Sequence, residues 1–305
     1  MVNINGYRFE AVHGRAAFAK NEPITEEGKF ETLQFPVRMF LDERVDGDDI
    51  LPHMHKAIEI LCIISGEIQV VVNGDSHQMK ENSIVVLNSY DVHAFSGKEA
   101  YYYVIQAEPT LLNSFDVNLQ QYMPADGDKF LKAEDGETME LRKTISSAFE
   151  YGKNGEKAAQ IGMIAEIFSV FAQIMAYTEA RGDYLEQPGH EQNLAKRLQD
   201  VFAYVEVHSA NDIPVDEISR HVNLTKNYFC RFFKRMTGMT FVEYLNQYRC
   251  KRAEELMVDM DISITEIALQ VGFKSLSYFN KTYKKLRGET PSEKRSRILR
   301  SRFER

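Results

Sequence analysis

The sequence predicts an α+β multidomain protein, in which an N-terminal β-barrel with flanking helices precedes an all-α domain of two helix-turn-helix units joined by a linker helix. Three observations support this fold class. Short apolar runs separated by turn signals fill residues 30–107, as in all-β barrels and sandwiches. Residues 137–178 show helical periodicity without proline, and the C-terminal third repeats itself at an offset of 50 residues.

Composition places the 305-residue chain among soluble globular proteins, with 44% apolar and 27% charged residues. The first residues show no basic segment followed by an apolar run, and no stretch reaches the ~18 uninterrupted apolar residues of a membrane span. The three cysteines, Cys62, Cys230 and Cys250, lie far apart without CxxC spacing, which favours free thiols. We therefore expect a cytoplasmic protein without a membrane segment.

The net charge of −8 is unevenly distributed along the chain. From Glu191 onward there are 21 Lys and Arg residues against 15 Asp and Glu residues, whereas the preceding part has 16 against 30. This asymmetry predicts a basic module of charge +6 attached to an acidic module of charge −14.

Six short apolar segments define the predicted barrel: VRMFL, IEILCIIS, EIQVVVNG, HQMK, SIVVLN and YYYVIQ. Asn73-Gly74 is a strong hairpin turn signal, and Gly66-Glu67 separates two further strands in the same way. Of the three consecutive tyrosines, Tyr101, Tyr102 and Tyr103, one or two rings are expected inside the barrel because side chains alternate along a strand.

Polar side chains with a regular spacing occur within these strands. The pattern is Gly47-x5-His53-x-His55-x3-Glu59-x6-Gly66, followed by His93 in NSIVVLNSYDVH. It resembles the first conserved motif of the cupin barrels, with His93 at the histidine of their second motif. The second motif is eroded, because Asn82 stands where its glycine would lead. Residues two apart on a strand point the same way, so His53, His55 and Glu59 are expected on one face.

Residues 137–151 and 157–178 are predicted as helices. The second is apolar over most of its circumference, so it must be buried, either against the barrel or in a dimer interface. Residues 181–192 contain Gly182, Pro188 and Gly189 and are predicted as a linker. The predicted domains are 1–108 for the barrel with an N-terminal arm, 109–180 for the helical segment, and 193–300 for the C-terminal domain.

Each C-terminal repeat has the sequence of a helix, a tight turn and a second helix. Asn223 in the first repeat and Gly272 in the second suit the left-handed backbone that ends a helix sharply. The second helices are expected to begin after capping residues and to end at glycines, namely Thr225 and Gly238 in the first repeat and Ser275 and Gly288 in the second. Residues 241–258 are predicted as the linker helix between the units.

These repeats resemble a known family. Residues 218–240 read ISRHVNLTKNYFCRFFKRMTGMT, and residues 263–292 read SITEIALQVGFKSLSYFNKTYKKLRGETPS. Both are similar to the DNA-binding domain of AraC/XylS-type transcription regulators. Two departures occur, since Phe241 replaces a common proline and Lys294 replaces a closing aromatic residue. The resemblance implies a homodimeric, non-enzymatic regulator whose partners are double-stranded DNA, RNA polymerase and a small-molecule effector.

The resemblance also assigns the DNA contacts. Asn227 and Arg231 in the first unit share one exposed face near a helix N-terminus, as do Ser277 and Lys281 in the second, and these are the expected base-reading residues. Because Arg and Asn pair bidentately with bases, we expect the first unit to set most of the sequence preference. The expected phosphate contacts are Thr225, Lys226, Lys234, Arg235, Lys274, Ser275, Lys284 and Lys285. For any single lysine among them, a position on a solvated helix face explains the sequence as well as a phosphate contact does.

Sensor domains of this family often keep polar residues that contact the effector or support the barrel mouth. The resemblance implies such roles for His53, His55, Glu59 and His93. No cofactor is therefore expected, although in metal-dependent cupins these four side chains bind Fe, Mn, Ni or Zn. The expected effector is a carbohydrate or related metabolite bound in the barrel, under an arm that carries Arg8, Arg15 and Phe18. The alternatives are a metal-dependent cupin enzyme, a dioxygenase or sugar isomerase with accessory helices, and a barrel that serves only for oligomerisation.

Overall fold

The computed structural model describes the backbone of residues 2–4, 7–9, 11–12, 15–17, 36–45, 49–97, 99–152, 157–182 and 190–303. Side chains are described for residues 36–44, 49–97, 99–152, 157–182 and 194–300. Two compact units make up the chain; the first ends at Gly189, and the main segment of the second begins at His190. Residues 51–53 complete a strand that is hydrogen-bonded into a sheet of the first unit.

The first unit is rich in strands, as predicted. They are β1 (Val2–Ile4), β2 (Tyr7–Phe9), β3 (Ala11–Val12), β4 (Arg15–Ala17), β5 (Val37–Val45), β6 (Ile50–His53), β7 (Ile58–Ser65), β8 (Glu67–Val72), β9 (Asp75–Lys80), β10 (Ile84–Leu87), β11 (His93–Gly97), β12 (Glu99–Ala107) and β13 (Phe130–Leu131). A seven-stranded sheet has the order β13-β10-β7-β12-β5-β4-β3, and a four-stranded sheet has the order β6-β11-β8-β9. The pairs along these sheets whose register is described are antiparallel.

Both predicted turns are present. Asn73 and Gly74 have φ angles of 51° and 94° and join β8 to β9, as a two-residue hairpin of the primed type requires. Gly66, at φ 77°, joins β7 to β8. A Cβ atom at Gly66 would lie 2.0 Å from the carbonyl oxygen of Glu99, so only glycine fits there.

The seven-stranded sheet is covered on both faces. On β7, Ile58, Ile60 and Cys62 join one apolar cluster, whereas Leu61 and Ile63 join another. The second cluster also contains Val70 and other residues of the four-stranded sheet, so it fills the barrel interior. Because both faces are buried, β7 reads as a continuous apolar run and not as an alternating one.

The outer cluster includes residues of two helices, α1 (Gly136–Gly152) and α2 (Lys157–Arg181). Both lie within three residues of their predicted bounds. Tyr103 of β12 stacks on Phe149 of α1 with ring centroids 3.9 Å apart. Helix α2 is long and apolar enough to cross a membrane by length and composition alone, which is weak evidence of a span. Its residues Ile167, Phe171 and Ile174 are buried in the outer cluster.

The second unit is helical. Its elements are α3 (His190–His208), α4 (Val215–His221), α5 (Lys226–Thr237), α6 (Phe241–Leu256), α7 (Ile264–Gln270), α8 (Leu276–Arg287) and α9 (Pro291–Phe303). Within the predicted linker, residues 183–189 lie outside the described part of the chain, and residues 190–192 already belong to α3. Helix α6 ends two residues before the predicted end of the linker helix. The predicted fold class is therefore confirmed.

Local signals place the helix ends of both repeats. The Tyr228 and Tyr278 backbone N–H groups donate to the hydroxyls of Thr225 and Ser275, which cap α5 and α8. Both helices end at left-handed glycines with φ 76°, as predicted, and Asn223 and Gly272 have φ angles of 54° and 96°. Apolar and aromatic residues at equivalent places in the two repeats are buried, namely Ile218, Val222, Phe229, Phe233, Ile267, Val271, Phe279 and Tyr283.

Candidate nucleic-acid interface and interior polar cluster

The exposed faces of α5 and α8 carry the predicted base-reading residues. Asn227 and Arg231 are exposed on α5, and Ser277 and Lys281 are exposed on α8. The opposite face of each helix is held by buried aromatic rings. This burial fixes the direction of the exposed side chains, so each helix presents its first two turns to solvent.

The predicted phosphate-contacting residues divide into three groups. Thr225 and Ser275 are helix caps, so their hydroxyls already accept a backbone hydrogen bond. Lys226 Nζ lies 2.8 Å from Asp216 Oδ2, and Lys274 Nζ lies 2.7 Å from Asp212 Oδ2. Both ion pairs are exposed and therefore weak, so a phosphate can replace the carboxylate. The remaining residues are exposed on α5 and α8, namely Lys234, Arg235, Lys284 and Lys285.

Two tyrosines on these helices were not predicted as site residues. The exposed fraction of Tyr228 is 39% and that of Tyr278 is 48%, although both are large aromatic residues. Tyr228 stacks beside Phe232, and the Tyr278 hydroxyl accepts a hydrogen bond from the Asn246 amide at 3.1 Å. Their equivalence at the offset of 50 residues was a usable signal, because both follow a base-reading position.

A buried arginine joins the two repeats. The Arg249 guanidinium, on α6, donates from Nε to Ser209 O at 2.8 Å and from Nη2 to Asn211 O at 2.7 Å. It also lies 5.8 Å from the centroid of Phe273 in the turn of the second unit. At Gly272 in that turn, a Cβ atom would lie 2.5 Å from Ser209 O. These contacts fix the disposition of one helix-turn-helix unit relative to the other.

Three histidines and a glutamate converge inside the barrel. His53 ends β6, His55 lies in the following loop, Glu59 lies on β7 and His93 begins β11. The ligand atoms of the three histidines all lie within 4.8 Å of one another. The expectation that His53, His55 and Glu59 share one strand face is wrong, because they lie on two strands and the loop between them.

Backbone carbonyls orient all three imidazoles in the same way. Nδ1 lies 3.0 Å from Leu51 O in His53, 3.0 Å from Ala57 O in His55 and 2.8 Å from Asp91 O in His93. A carbonyl oxygen only accepts hydrogen bonds, so each Nδ1 must carry the proton and donate it. Each Nε2 is therefore the nitrogen that faces the cluster.

The Glu59 carboxylate lies among these rings. Its Oε2 atom is 2.6 Å from His55 Nε2, 3.8 Å from His93 Nε2 and accepts a hydrogen bond from the Gln106 amide at 3.0 Å. Burial by itself raises the pKa of Glu59, but the hydrogen bond and charge of His55 more than offset it and hold the pKa well below its usual range. Burial lowers the pKa of His93 to about 4, so this ring is neutral at physiological pH.

Asp91 supports His93 through a second network. Lys129 Nζ is buried 2.7 Å from Asp91 Oδ2 and 2.6 Å from Asp126 Oδ1, and the Asn73 amide donates to Asp91 at 2.9 Å. Lys129 remains charged because the two carboxylates outweigh the effect of burial and raise its pKa. The carbonyl that orients His93 is thus held in place from several sides.

A second polar group lies farther along the interior. Arg44 Nη2 is 3.0 Å from Asp42 Oδ2, and the Tyr102 hydroxyl donates to the same oxygen at 2.8 Å. Tyr102 is the inward ring of the three consecutive tyrosines, because Tyr103 faces α1 and Tyr101 is 46% exposed. Asp42, Arg44 and Gln106 were not predicted as interior residues.

The predicted arm is described only in part. Arg8 lies on β2 and Arg15 on β4, but their side chains and the whole of Phe18 lie outside the described residues. Strand β4 pairs with β5, from Arg15 opposite Asp42 to Ala17 opposite Phe40. This segment therefore extends the edge of the seven-stranded sheet.

Comparison with known families agrees with both halves of this description. The AraC-like ligand binding domain matches residues 35–160, and a helix-turn-helix domain matches residues 218–297. The chain belongs to the AraC-type transcription regulators. It combines the ligand-binding domain of that family with its DNA-binding domain, and the alternative of a metal-dependent enzyme is not favoured.

Similar proteins include the uncharacterized HTH-type transcriptional regulator YdeC of Bacillus subtilis (strain 168), 23% identical over 90% of this chain and 96% of that protein. The HTH-type transcriptional activator RhaR of Mannheimia succiniciproducens is 22% identical over 94% of this chain and 96% of that protein. The crystal structure of ToxT from Vibrio cholerae O395 covers 85% of this chain and 97% of its own, at 16% identity and a TM-score of 0.42.

Proposed function

We propose that this AraC-type regulator works as a cytoplasmic homodimer that places α5 and α8 in successive major grooves of DNA and acts on RNA polymerase. Asn227, Arg231, Ser277 and Lys281 contact base edges. The surrounding residues contact phosphates, namely Thr225, Lys226, Lys234, Arg235, Lys274, Ser275, Lys284 and Lys285. The observation that carries this proposal is the pair of exposed helix faces that Arg249 and Gly272 hold in one fixed arrangement.

The proposed domain bounds follow the predicted ones, with the sensor barrel in 1–108, the helical segment in 109–180, the linker in 181–192 and the DNA-binding domain in 193–300. The effector is a carbohydrate or related metabolite that contacts His53, His55, Glu59 and His93. Hydroxyl-rich ligands need donors and acceptors together, and the Glu59 carboxylate, the Gln106 amide and the imidazoles supply both. Effector binding, and not catalysis, is the role of the barrel in this proposal.

The proposed dimer forms through the surface of α2 and the 3-10 helix Pro109–Phe115. Ile161 is 68% exposed and Phe115 is 67% exposed, and Phe115 lies edge-on to Phe168 of α2. Large apolar residues exposed together favour an interface. In sedimentation at micromolar concentration, we expect Ile161→Lys to be monomeric, whereas Gln160→Lys, on the adjacent exposed position, stays dimeric. A dimer that survives Ile161→Lys would place the interface elsewhere.

The DNA-binding proposal is tested by selecting binding sites from random double-stranded DNA with the full-length protein. We expect an enriched site with two half-sites about 10 base pairs apart, bound with strong salt dependence. The double variant Asn227→Ala/Arg231→Ala should lose the preference in one half-site. Lys143→Ala, an exposed change on α1, is the matched control and should select the wild-type site.

The absence of any enriched site, with or without added sugars, would contradict the proposal. So would a double variant that selects an unchanged site while remaining folded, because the exposed face of α5 would then not read DNA. Dimethyl sulfate footprinting on the selected site would check the same assignment at single guanines.

A further inference from the structure

We propose that Asn280 reads an adenine in the half-site of the second helix-turn-helix unit, and that this contact determines the sequence preference of that unit. The inference rests on the proposed function, in which α8 lies in a major groove of DNA. The expected base-reading residues of α8, Ser277 and Lys281, leave the helix without a side chain that selects adenine. Asn280 supplies one, and it was not predicted as a site residue.

The first argument is the position of Asn280 on α8. It is the fifth residue of this helix, and a recognition helix contacts base edges with residues near its N-terminus. Residues three and four apart are neighbours on a helix surface, so Asn280 adjoins Ser277 on one side and Lys284 on the other. All three side chains are exposed, whereas Phe279 and Tyr283 are buried against the domain. Asn280 therefore belongs to the surface that carries the expected DNA contacts.

The second argument is that the protein itself does not use the Asn280 amide. Within the described part of the chain, this side chain makes no hydrogen bond. Other asparagines there hold the fold, since Asn246 donates to the Tyr278 hydroxyl and Asn73 donates to Asp91. Asparagine is disfavoured inside a helix because its side chain competes with the backbone for hydrogen bonds. No contact among the described residues compensates for this cost, so the amide is available to a partner outside the chain.

The third argument is the chemistry of the amide. In the major groove, the NH₂ group of an asparagine donates to N7 of adenine while its carbonyl oxygen accepts from the N6 amino group. A phosphate has no donor, so it would leave that carbonyl oxygen without a partner. Lys284, one turn farther along the same surface, has the charge for a phosphate contact. Such contacts fix the register of a helix in the groove, and a short side chain then meets a base edge.

The first helix-turn-helix unit has a different residue at the equivalent position. At the offset of 50 residues, Asn280 corresponds to Cys230, which is also exposed. A thiol is a weak donor and a weak acceptor, so it cannot replace the two hydrogen bonds of an amide. The asparagine of the first unit, Asn227, instead corresponds to Ser277 of the second. The two units therefore read adenine from different positions of their helices, and the two half-sites should differ in sequence.

The test uses the full-length protein and the site that the wild type selects from random double-stranded DNA. The half-site of the second unit is the one whose preference survives Asn227→Ala/Arg231→Ala. We expect the wild type to require one A·T pair there. Asn280→Ala should lower discrimination at that pair about 10- to 100-fold and leave the other positions unchanged. Because the lost amide is neutral, the salt dependence of binding should stay the same, whereas Lys284→Ala should reduce it.

A second variant, Asn280→Asp, keeps the shape of the side chain but removes its donor. A carboxylate accepts from N4 of cytosine, so the preference at the same position should change from adenine to cytosine. Gln199→Ala is the matched control, because it removes an amide from an exposed position of α3, outside both recognition helices. It should select the wild-type site. Far-ultraviolet circular dichroism of each variant shows that the comparison is made between folded proteins.

A loss of affinity in Asn280→Ala that is equal for all sequences would overturn this inference, because a phosphate contact gives that result. Undiminished selection of adenine by Asn280→Asp would also overturn it. Failure of the proposed function is distinguishable from failure of this inference. Wild-type protein that selects no site overturns the DNA-binding proposal and this inference together. A wild-type site that Asn280→Ala selects unchanged overturns this inference alone.

Discussion

The two helix-turn-helix units use the same backbone features but expose different side chains. Thr225 and Ser275 cap the second helices, and glycines with φ 76° end them in both units. On the exposed faces, Asn227 and Arg231 of the first unit correspond to Ser277 and Lys281 of the second. The helix ends and the buried rings therefore define the unit, whereas the residues on the exposed face differ between the two units without altering it.

The turns within the two units differ in a second way. Both are left-handed, but Asn223 carries an exposed side chain, whereas a Cβ atom at Gly272 would meet Ser209 O at 2.5 Å. The second turn packs against the loop at residues 209–211, which Arg249 also binds, whereas Arg197 Nη1 donates to Val222 O and Asn223 O in the first turn. The two turns are therefore held by different contacts, and the first unit has the side chains better suited to read bases.

The largest expected effect tests this difference. Gly272→Ala should lower the free energy of unfolding by ~3 kcal/mol, because it combines backbone strain with a steric clash against Ser209 O. Asn223→Gly, at the equivalent turn, should change it by no more than ~0.5 kcal/mol. Urea unfolding of the full-length variants measures both. If the two changes had equal effects, the idea that the second turn requires a residue without a Cβ atom would be wrong.

An intermediate effect should separate the two recognition helices. Arg231→Ala should reduce discrimination at one base pair by ~2 kcal/mol, because a bidentate contact is lost. Lys281→Ala should weaken binding to all sequences by about the same amount, and this loss should be smaller than the effect of Arg231→Ala. The salt dependence of binding should also be reduced. Affinity for the selected site and its single-base variants, measured at two salt concentrations, distinguishes these results. Equal loss of discrimination in both variants would show that the units read DNA equally.

The smallest effect should be the same in both units. Thr225→Ala and Ser275→Ala each remove a helix cap, so each should lower the free energy of unfolding by ~1 kcal/mol. Ser277→Ala, an exposed change inside α8, is the control and should alter it by no more than ~0.5 kcal/mol. Thermal unfolding of the three variants provides the measurement. If the free energies of unfolding of the two cap variants differed from each other by more than they differ from that of the control, the two repeats would not share the same N-terminal capping.

Features that depend on neighbouring residues were predictable from the sequence. The caps at Thr225 and Ser275, the left-handed turns at Asn223 and Gly272, and the Asn73-Gly74 hairpin depend on a few adjacent residues, and the structure confirms them. Secondary-structure signals of this kind act over one turn of chain, so a single sequence contains them.

Features that depend on contacts between distant parts of the chain were not predictable. Asp42 and Tyr102 are 60 positions apart and meet because β5 pairs with β12, and Arg249 reaches a carbonyl 40 positions away. The histidine cluster was found by spacing, but the reason given for it was wrong, since His55 lies in a loop and not on a strand. Spacing identified the residues, and only the fold shows how their rings are oriented.

The two-sided burial of β7 has a consequence for how such a protein can diversify. Glu59 faces the interior, whereas its chain neighbours Ile58 and Ile60 face the helices α1 and α2. The proposed effector contact and the packing of the helices therefore involve alternate residues of one short strand. In this proposal, substitutions at the inward positions change the effector and leave the packing against α1 and α2 unchanged, so one fold can respond to many different effectors.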